Sequence, residues 1–139
     1  MACTLGIDHG SKRIGLAVSD PGGKVALPAG TLESHGFERD LAAIRRVVEM
    51  RQVERIVVGL PIHMDGRSGP QAEAAREFAE RLARELGLPV DTLDERWTTR
   101  EAERALQATG RKGKKKRAVI DSVAAAILLR TYLEREGGG

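Results

Sequence analysis

The sequence predicts a single α/β domain built on a mixed sheet, and three observations carry that prediction. Extended runs follow one another at the start with no room for a helix between them. From Phe37 onward, helical and extended periodicities alternate. The chain has 139 residues, 41% hydrophobic and 31% charged, enough for one buried core and too few for two domains.

Cys3 to Ile7 alternates weakly and ends in Asp8-His9-Gly10, and Ile14 to Val18 is a second apolar run containing Gly15. Pro21-Gly22-Gly23 supplies the fixed and the permissive φ values of a turn, and Val25 to Leu32 follows, broken by Pro28. Three short strands joined by tight loops predict an antiparallel meander. From Phe37 to Arg51, Leu41, Ile44, Val47 and Val48 fall at helical spacing. Arg55 to Leu60 is short, apolar and β-branched, as a strand buried on both faces should be, and Pro61 stops it. The glycine-bearing loop from His63 to Pro70 leads into a helix with Ala72, Ala75, Ala79, Leu82 and Leu86 along one face, closed by Gly87. Leu88 to Leu93 predicts the fifth strand.

Thr98-Thr99-Arg100-Glu101 has the spacing of a capping box, which predicts a helix from Thr98 to Thr109-Gly110, and the basic run behind it reads as a loop. Ala118 to Arg135 is the last helix. Its apolar residues Val119, Ile120, Val123, Ala124, Ile127, Leu128 and Tyr132 cover more than half the circumference, so it should pack deeply. The domain is expected to span 1–136, with Gly137 to Gly139 a fraying tail. The order is β-β-β-α-β-α-β-α-α.

The formal charge is +3, yet Arg111 to Arg117 (Arg-Lys-Gly-Lys-Lys-Lys-Arg) holds six of the 23 basic residues, leaving 17 basic against 20 acidic elsewhere. The basicity is therefore local, which points to a polyanionic partner at one place on the surface. No stretch approaches the ~20 apolar residues of a bilayer span, so no membrane is expected. The lone Cys3 cannot form an internal disulfide, and the N-terminus has neither a basic nor an apolar leader region, so a cytoplasmic location is expected.

In α/β sheets functional groups gather at the carboxyl ends of strands. Asp8 closes the first strand, Gly59-Leu60-Pro61 the fourth and Asp94-Glu95-Arg96 the fifth, while Asp121 sits among Val119, Ile120 and Val123 early in the last helix. Carboxylates brought together repel one another and invite divalent cations, and oxygen-only ligands suit Mg²⁺ or Mn²⁺. Asp94 and Glu95 point to opposite faces of a strand, so one of them faces such a site. Glu95 is preferred for its reach toward Asp8, with Asp94 as the alternate. Taken alone, the same residues also fit turn capping by Asp8 and Asp94 and a helix N-terminal charge at Asp121.

The stretch Gly6-Ile7-Asp8-His9-Gly10-Ser11-Lys12-Arg13-Ile14-Gly15-Leu16-Ala17-Val18-Ser19-Asp20 resembles the opening motif of the YqgF/RuvX family, Holliday junction resolvase-like proteins also described as pre-16S rRNA nucleases. Three further blocks agree in order and spacing: Val58-Gly59-Leu60-Pro61 with Met64-Asp65-Gly66; Asp94-Glu95-Arg96 with Thr98-Thr99-Arg100-Glu101-Ala102; and Asp121-Ser122-Val123-Ala124-Ala125 with Ile127-Leu128 and Tyr132-Leu133. The resemblance covers essentially the whole chain. It implies an RNase H-like fold, a five-stranded mixed sheet with helices on both faces, and Asp8, Glu95 and Asp121 as catalytic, Mg²⁺- or Mn²⁺-binding residues of a nuclease. Two departures stand out: His63 where relatives often carry Asn, and Ala118 where a basic residue is common, a charge that Lys116 and Arg117 can replace.

Lys12 and Arg13 at the first hairpin, Arg96 beside Glu95, and Arg111, Lys112, Lys114, Lys115, Lys116 and Arg117 are the expected nucleic-acid contacts, with solvated turn charges or ion pairing as the plain alternatives. Aromatic residues are few (Phe37, Phe78, Trp97, Tyr132), so stacking platforms for single-stranded bases are not expected, although Trp97 beside Glu95 could stack one base. Core packing is the expected role of Phe78 and Tyr132, and strand alternation turns His9 away from Asp8.

The reading is a metal-dependent endonuclease acting on structured RNA or branched DNA. One rival is an ATPase, since Asp-x-Gly hairpins also hold phosphates, but such enzymes clamp nucleotide between two domains of this kind. The other is a non-catalytic RNA-binding ribosome-assembly factor of the same fold. Apart from the unusually apolar last helix nothing marks a dimer face, so a monomer or weak homodimer is expected.

Overall fold

The structure is a computed structural model whose described residues are 3–61, 66, 69–95 and 113–137, with 113–120 and 137 described by backbone alone. Their order is β1 (Cys3–His9), β2 (Arg13–Ser19), β3 (Ala26–Glu33), α1 (Phe37–Arg51), β4 (Val53–Leu60), α2 (Pro70–Leu86), β5 (Val90–Asp94) and α3 (Gly113–Gly137). The capping box and helix expected over 98–110 lie outside the described residues.

The strands form one sheet in the order β3-β2-β1-β4-β5. The meander is present: β1 pairs antiparallel with β2, and β2 with β3. The Pro21-Gly22-Gly23 turn is closed by Asp20, whose carboxylate accepts the backbone N–H groups of Lys24 at 2.8 Å and Val25 at 2.9 Å. After α1 the chain returns on the other side of β1, and β4 and β5 add in parallel. The three central strands are therefore covered on both faces, as a mixed sheet with helical crossovers requires.

Strand alternation sorts the core into two layers. Leu5, Ile7, Ile14, Leu16, Ile56, Val58 and Leu60 turn toward α1 and α2, where Leu41, Ile44, Ala75, Phe78 and Leu82 meet them. Ala17, Val57 and Leu93 turn the other way, against Ala125, Leu128, Leu129 and Tyr132 of α3. Each fully buried aliphatic side chain contributes about 1.5–3 kcal/mol relative to exposure. Among the described residues of the last helix, Ala125, Ile127, Leu128, Leu129 and Tyr132 are thus buried inside the domain.

Helix ends follow from local chemistry. The entry to α1 is fixed by the buried Asp40, which accepts from Ser34 Oγ at 2.6 Å and from the His35 N–H at 3.0 Å. Pro70 opens α2 where its missing N–H costs nothing, and Gly87 ends it in the left-handed region, its N–H reaching Ala83 O at 3.0 Å.

The last helix corrects the expected layout. α3 begins at Gly113, so Lys114, Lys115, Lys116 and Arg117 lie in its first turns and not in a loop. Local propensity points the other way, because Gly113 and four consecutive cations are poor N-terminal residues against the helix dipole. The helix also runs on to Gly137, past the expected end at Arg135. Among the described residues no helix is long and apolar enough to cross a membrane.

Candidate active site

The two-residue period that points Leu5 and Ile7 at α1 and α2 points Gly6 and Asp8 at α3. Across the β1–β2 pair, Asp8 stands opposite Gly15. A β-carbon at Gly15 would overlap the backbone carbonyl of Asp121, and one at Gly6 would stand 2.9 Å from Leu129 Cβ. α3 therefore lies in a groove floored by two glycines, which sets Asp121 above the end of β1. Asp121 is the ninth residue of α3, beyond reach of the N-terminal dipole that could otherwise account for it.

Glu95 reaches the same place from β5. Leu93 faces α3, and just past the end of β5 the Glu95 side chain folds across β4 at Gly59, where a β-carbon would stand 2.7 Å from its Cγ. Glu95 lines a cavity of about 360 Å³ together with Asp8, Asp121, Lys12, Arg13 and Gln71 from the first turn of α2. Asp94 is not among the lining residues. It acts on Glu95 through like-charge repulsion.

Asp8 and Glu95 share a side-chain hydrogen bond. Burial raises the Asp8 carboxyl above its usual range, and the Asp121 charge adds to that. Burial likewise drives Glu95 up, to about 10, reinforced by its hydrogen bond to Asp8 and by the negative charges of Asp8 and Asp94. Burial thus favours the protonated form of both groups, while the hydrogen bond between them favours the anion at Asp8 and the acid at Glu95. Asp121 is balanced differently: Arg13 Nε donates to its Oδ2 at 2.7 Å, with the two side chains 33% and 19% exposed.

These residues fit a hard divalent cation. The donors are all carboxylate oxygens, and the buried Asp8 and Glu95 are pushed toward their protonated forms with the Asp121 and Asp94 charges adding to the effect, as expected where positive charge is lacking. Among the described residues no three His, Cys, Asp or Glu side chains stand as a ready-made metal site, so a cation would need a small rearrangement of these carboxylates. Asp8 and Glu95 would form the core of the donor set, with Asp121, here bonded to Arg13, lining the same cavity.

Of the remaining candidates, Lys12 lines the cavity beside Arg13, at the hairpin where the Gly10 N–H bonds Arg13 O at 2.9 Å. Arg96, Trp97, Arg111 and Lys112 lie outside the described residues. Lys114, Lys115, Lys116 and Arg117 are placed by backbone in the turns of α3 that precede Asp121. His9 points away from Asp8, its ring stacked on Phe78 with centroids 4.4 Å apart.

Sequence reasoning passes over Gly15 as a site-forming residue, places Gly59 at a strand end without its contact to Glu95, and does not pair Arg13 with Asp121. The hairpin register holds the first signal, since a glycine opposite a strand-end Asp leaves room for a helix. Tyr132 is buried as expected but has a polar task as well. Its hydroxyl donates to Asp91 and accepts from Arg55 Nη1 at 3.1 Å, tying the far end of α3 to β4 and β5.

Comparison with known proteins gives the family and the fold. Residues 2–135 match the RuvX family, described as Holliday junction resolvase. The chain belongs to the RuvX family. A relative from Moorella thermoacetica, named "Putative pre-16S rRNA nuclease", is 47% identical over 96% of this chain and 95% of its own length. One from Chloroflexus aurantiacus with the same name is 46% identical over 94% of this chain and 85% of its own length. Among solved structures, T. thermophilus RuvC in complex with a Holliday junction substrate superposes with a TM-score of 0.63 at 19% identity, covering 99% of this chain and 97% of that one. The RuvX chain therefore has the RNase H-like fold, a five-stranded mixed sheet with helices on both faces.

Proposed function

We propose that this RuvX protein is a metal-dependent endonuclease that hydrolyses phosphodiester bonds in structured nucleic acid, with the end of precursor 16S rRNA as its substrate. The observation that carries the reading is the shared hydrogen bond of Asp8 and Glu95 at the carboxyl edge of the sheet, in one cavity with Asp121. The choice of rRNA follows the names of relatives at 46–47% identity.

Asp8 and Glu95 would hold the cation, with Asp121 completing the set. Bound there, Mg²⁺ or Mn²⁺ supplies charge stabilisation for in-line attack of water at phosphorus and departure of the sugar oxygen. The chain's own residues do the rest. Asp8 and Glu95 would both have to be ionised to hold the cation, each then presenting carboxylate oxygens to it. Lys12 and Arg13 line the same cavity as Asp8, where they can orient the non-bridging oxygens of the scissile phosphate. The first turn of α2, carrying Gln71, offers N–H groups and the positive helix end to the same phosphate. The cations of the first turns of α3 come one to two turns before Asp121 in the helix and would add affinity for the nucleic-acid backbone.

The family description favours a second reading, junction resolution. It makes a further demand: paired nicks on strands related by two-fold symmetry need two copies of the Asp8 site in an isologous dimer, whereas trimming an rRNA end needs one. The experiment is a cleavage panel with Mg²⁺, Mn²⁺ or EDTA on precursor rRNA ends and four-way DNA junctions, run over the concentration range used for sedimentation. Metal-dependent cleavage of the rRNA by the monomer is the expected result. Symmetric paired nicks appearing only as dimers form would move the assignment to junctions, and no cleavage of either substrate would favour a binding role without catalysis.

A further inference from the structure

We propose that Arg13 is an exchangeable counterion: its guanidinium, bonded through Nε to Asp121 Oδ2, holds the third carboxylate in readiness, is released from it when a divalent cation binds at Asp8 and Glu95, and then takes a substrate phosphate oxygen. The proposal rests on the metal-dependent reading above and adds an order of events to it.

Three features of the site lead here. Of the three carboxylates in the cavity, Asp8 and Glu95 satisfy each other, while Asp121 is satisfied by a cation of the protein itself. The Asp121 backbone cannot move to choose between them, because its carbonyl is seated on Gly15 and the helix behind it is packed at Ala125 and Leu129. Only its side chain can turn. Arg13, by contrast, is the first residue of β2 beside the hairpin turn, a third exposed, and lines the cavity next to Lys12. The mobile partner of the pair is therefore the arginine.

The chemistry of exchange is favourable in both directions. A divalent cation outcompetes one guanidinium for a carboxylate that two other carboxylates flank. A freed guanidinium in a partly dry cavity needs an anion, and its planar fork suits a phosphodiester. Metal loading and strand binding become coupled through this one side chain: without metal, Arg13 is occupied and the strand lacks a ligand; with metal, Arg13 is available. Arg13 is a positioning residue for Asp121 in the first state and a phosphate ligand in the second.

The test is a Mg²⁺ titration of the full chain, without nucleic acid, followed by NMR of the arginine Nε–H groups and the Asp and Glu carboxyl carbons. The Arg13 signal is assigned by its disappearance in Arg13→Lys. The expected result is that carboxyl signals and the Arg13 Nε–H shift together, the latter losing its protection from exchange, and that dimethyl phosphate then perturbs Arg13 only when Mg²⁺ is present. Carboxyl shifts with an unmoved Arg13 Nε–H would overturn the exchange and leave the metal reading standing. No carboxyl response at all would overturn both. As a second measurement, Arg13→Gln, shown by circular dichroism to be folded, should bind Mn²⁺ roughly three- to tenfold more tightly than wild type, because its competitor is gone. Weaker Mn²⁺ binding by the folded variant would make Arg13 a fixed strut and overturn the proposal.

Discussion

The backbone carbonyl of Asp121 rests on Gly15, in the space that any side chain at that position would fill. Because Gly15 is the partner of Asp8 in the β1–β2 register, this contact sets α3 at the depth that brings the two acidic residues into one cavity. The contact is backbone against backbone and has no flexible end that could give way.

Gly15→Ala is therefore expected to destabilise the fold and disarm the site together. Overpacking of this kind costs about 1–3 kcal/mol, which for a domain of this size lowers the melting temperature by about 3–10 °C. Thermal denaturation and cleavage measured on the same preparation check both halves.

Gly59→Ala should separate the two effects. Its β-carbon would meet the Glu95 side chain, with Cδ at 2.6 Å, and a side chain can swing aside where a backbone cannot. The melting temperature should change by less than about 3 °C while cleavage falls at least roughly tenfold, because Glu95 no longer reaches Asp8. Equal losses in stability and activity would show that Gly59 serves packing only.

The buried pair also sets a pH dependence. Folding raises the affinity of Asp8 and Glu95 for protons, so the folded state binds more protons than the unfolded one and cation-free stability falls as pH rises from the ordinary Glu value of 4.5 toward about 10. In EDTA the protein should melt higher at about pH 5 than at about pH 8, and Glu95→Gln should flatten that difference. Mg²⁺ should restore stability at the higher pH. Melting curves across pH with and without EDTA decide it.

Much of this is legible in the sequence, because the signals are periodic. Leu5 and Ile7 against Asp8, and Leu41 with Ile44, announce which face is core by spacing alone, and the strand-end positions of Asp8 and Glu95 follow from the same counting. What the sequence hides is set by contacts remote in the chain. The start of α3 at Gly113 goes against local propensity. The pairing of Arg13 with Asp121 spans 108 residues and leaves no local trace. Tyr132 reads as a core aromatic, and only the approach of Asp91 and Arg55 gives its hydroxyl a partner on each side.

Replacing Lys114, Lys115 and Lys116 together by Gln should weaken nucleic-acid binding at all sequences and reduce the slope of log affinity against log salt by up to ~2.7, at ~0.9 for each duplex phosphate no longer neutralised. The helix itself should not suffer, since three cations leave its unfavourable N-terminal end. Binding titrations at several salt concentrations measure it. An unchanged slope would move the grip to Lys12 and Arg13.

The central claim is that Asp8 works through a bound cation, and the most direct measurement is cleavage of precursor rRNA by wild type and Asp8→Asn side by side, in Mn²⁺ and in EDTA. The substitution keeps the shape of a buried side chain and removes a charge that repels its neighbours, so the variant should fold at least as well as wild type. Wild type should cleave in Mn²⁺ and stop in EDTA, and Asp8→Asn should not cleave in either. Wild-type rates from the variant in Mn²⁺, or wild-type cleavage that persists in EDTA, would contradict the account.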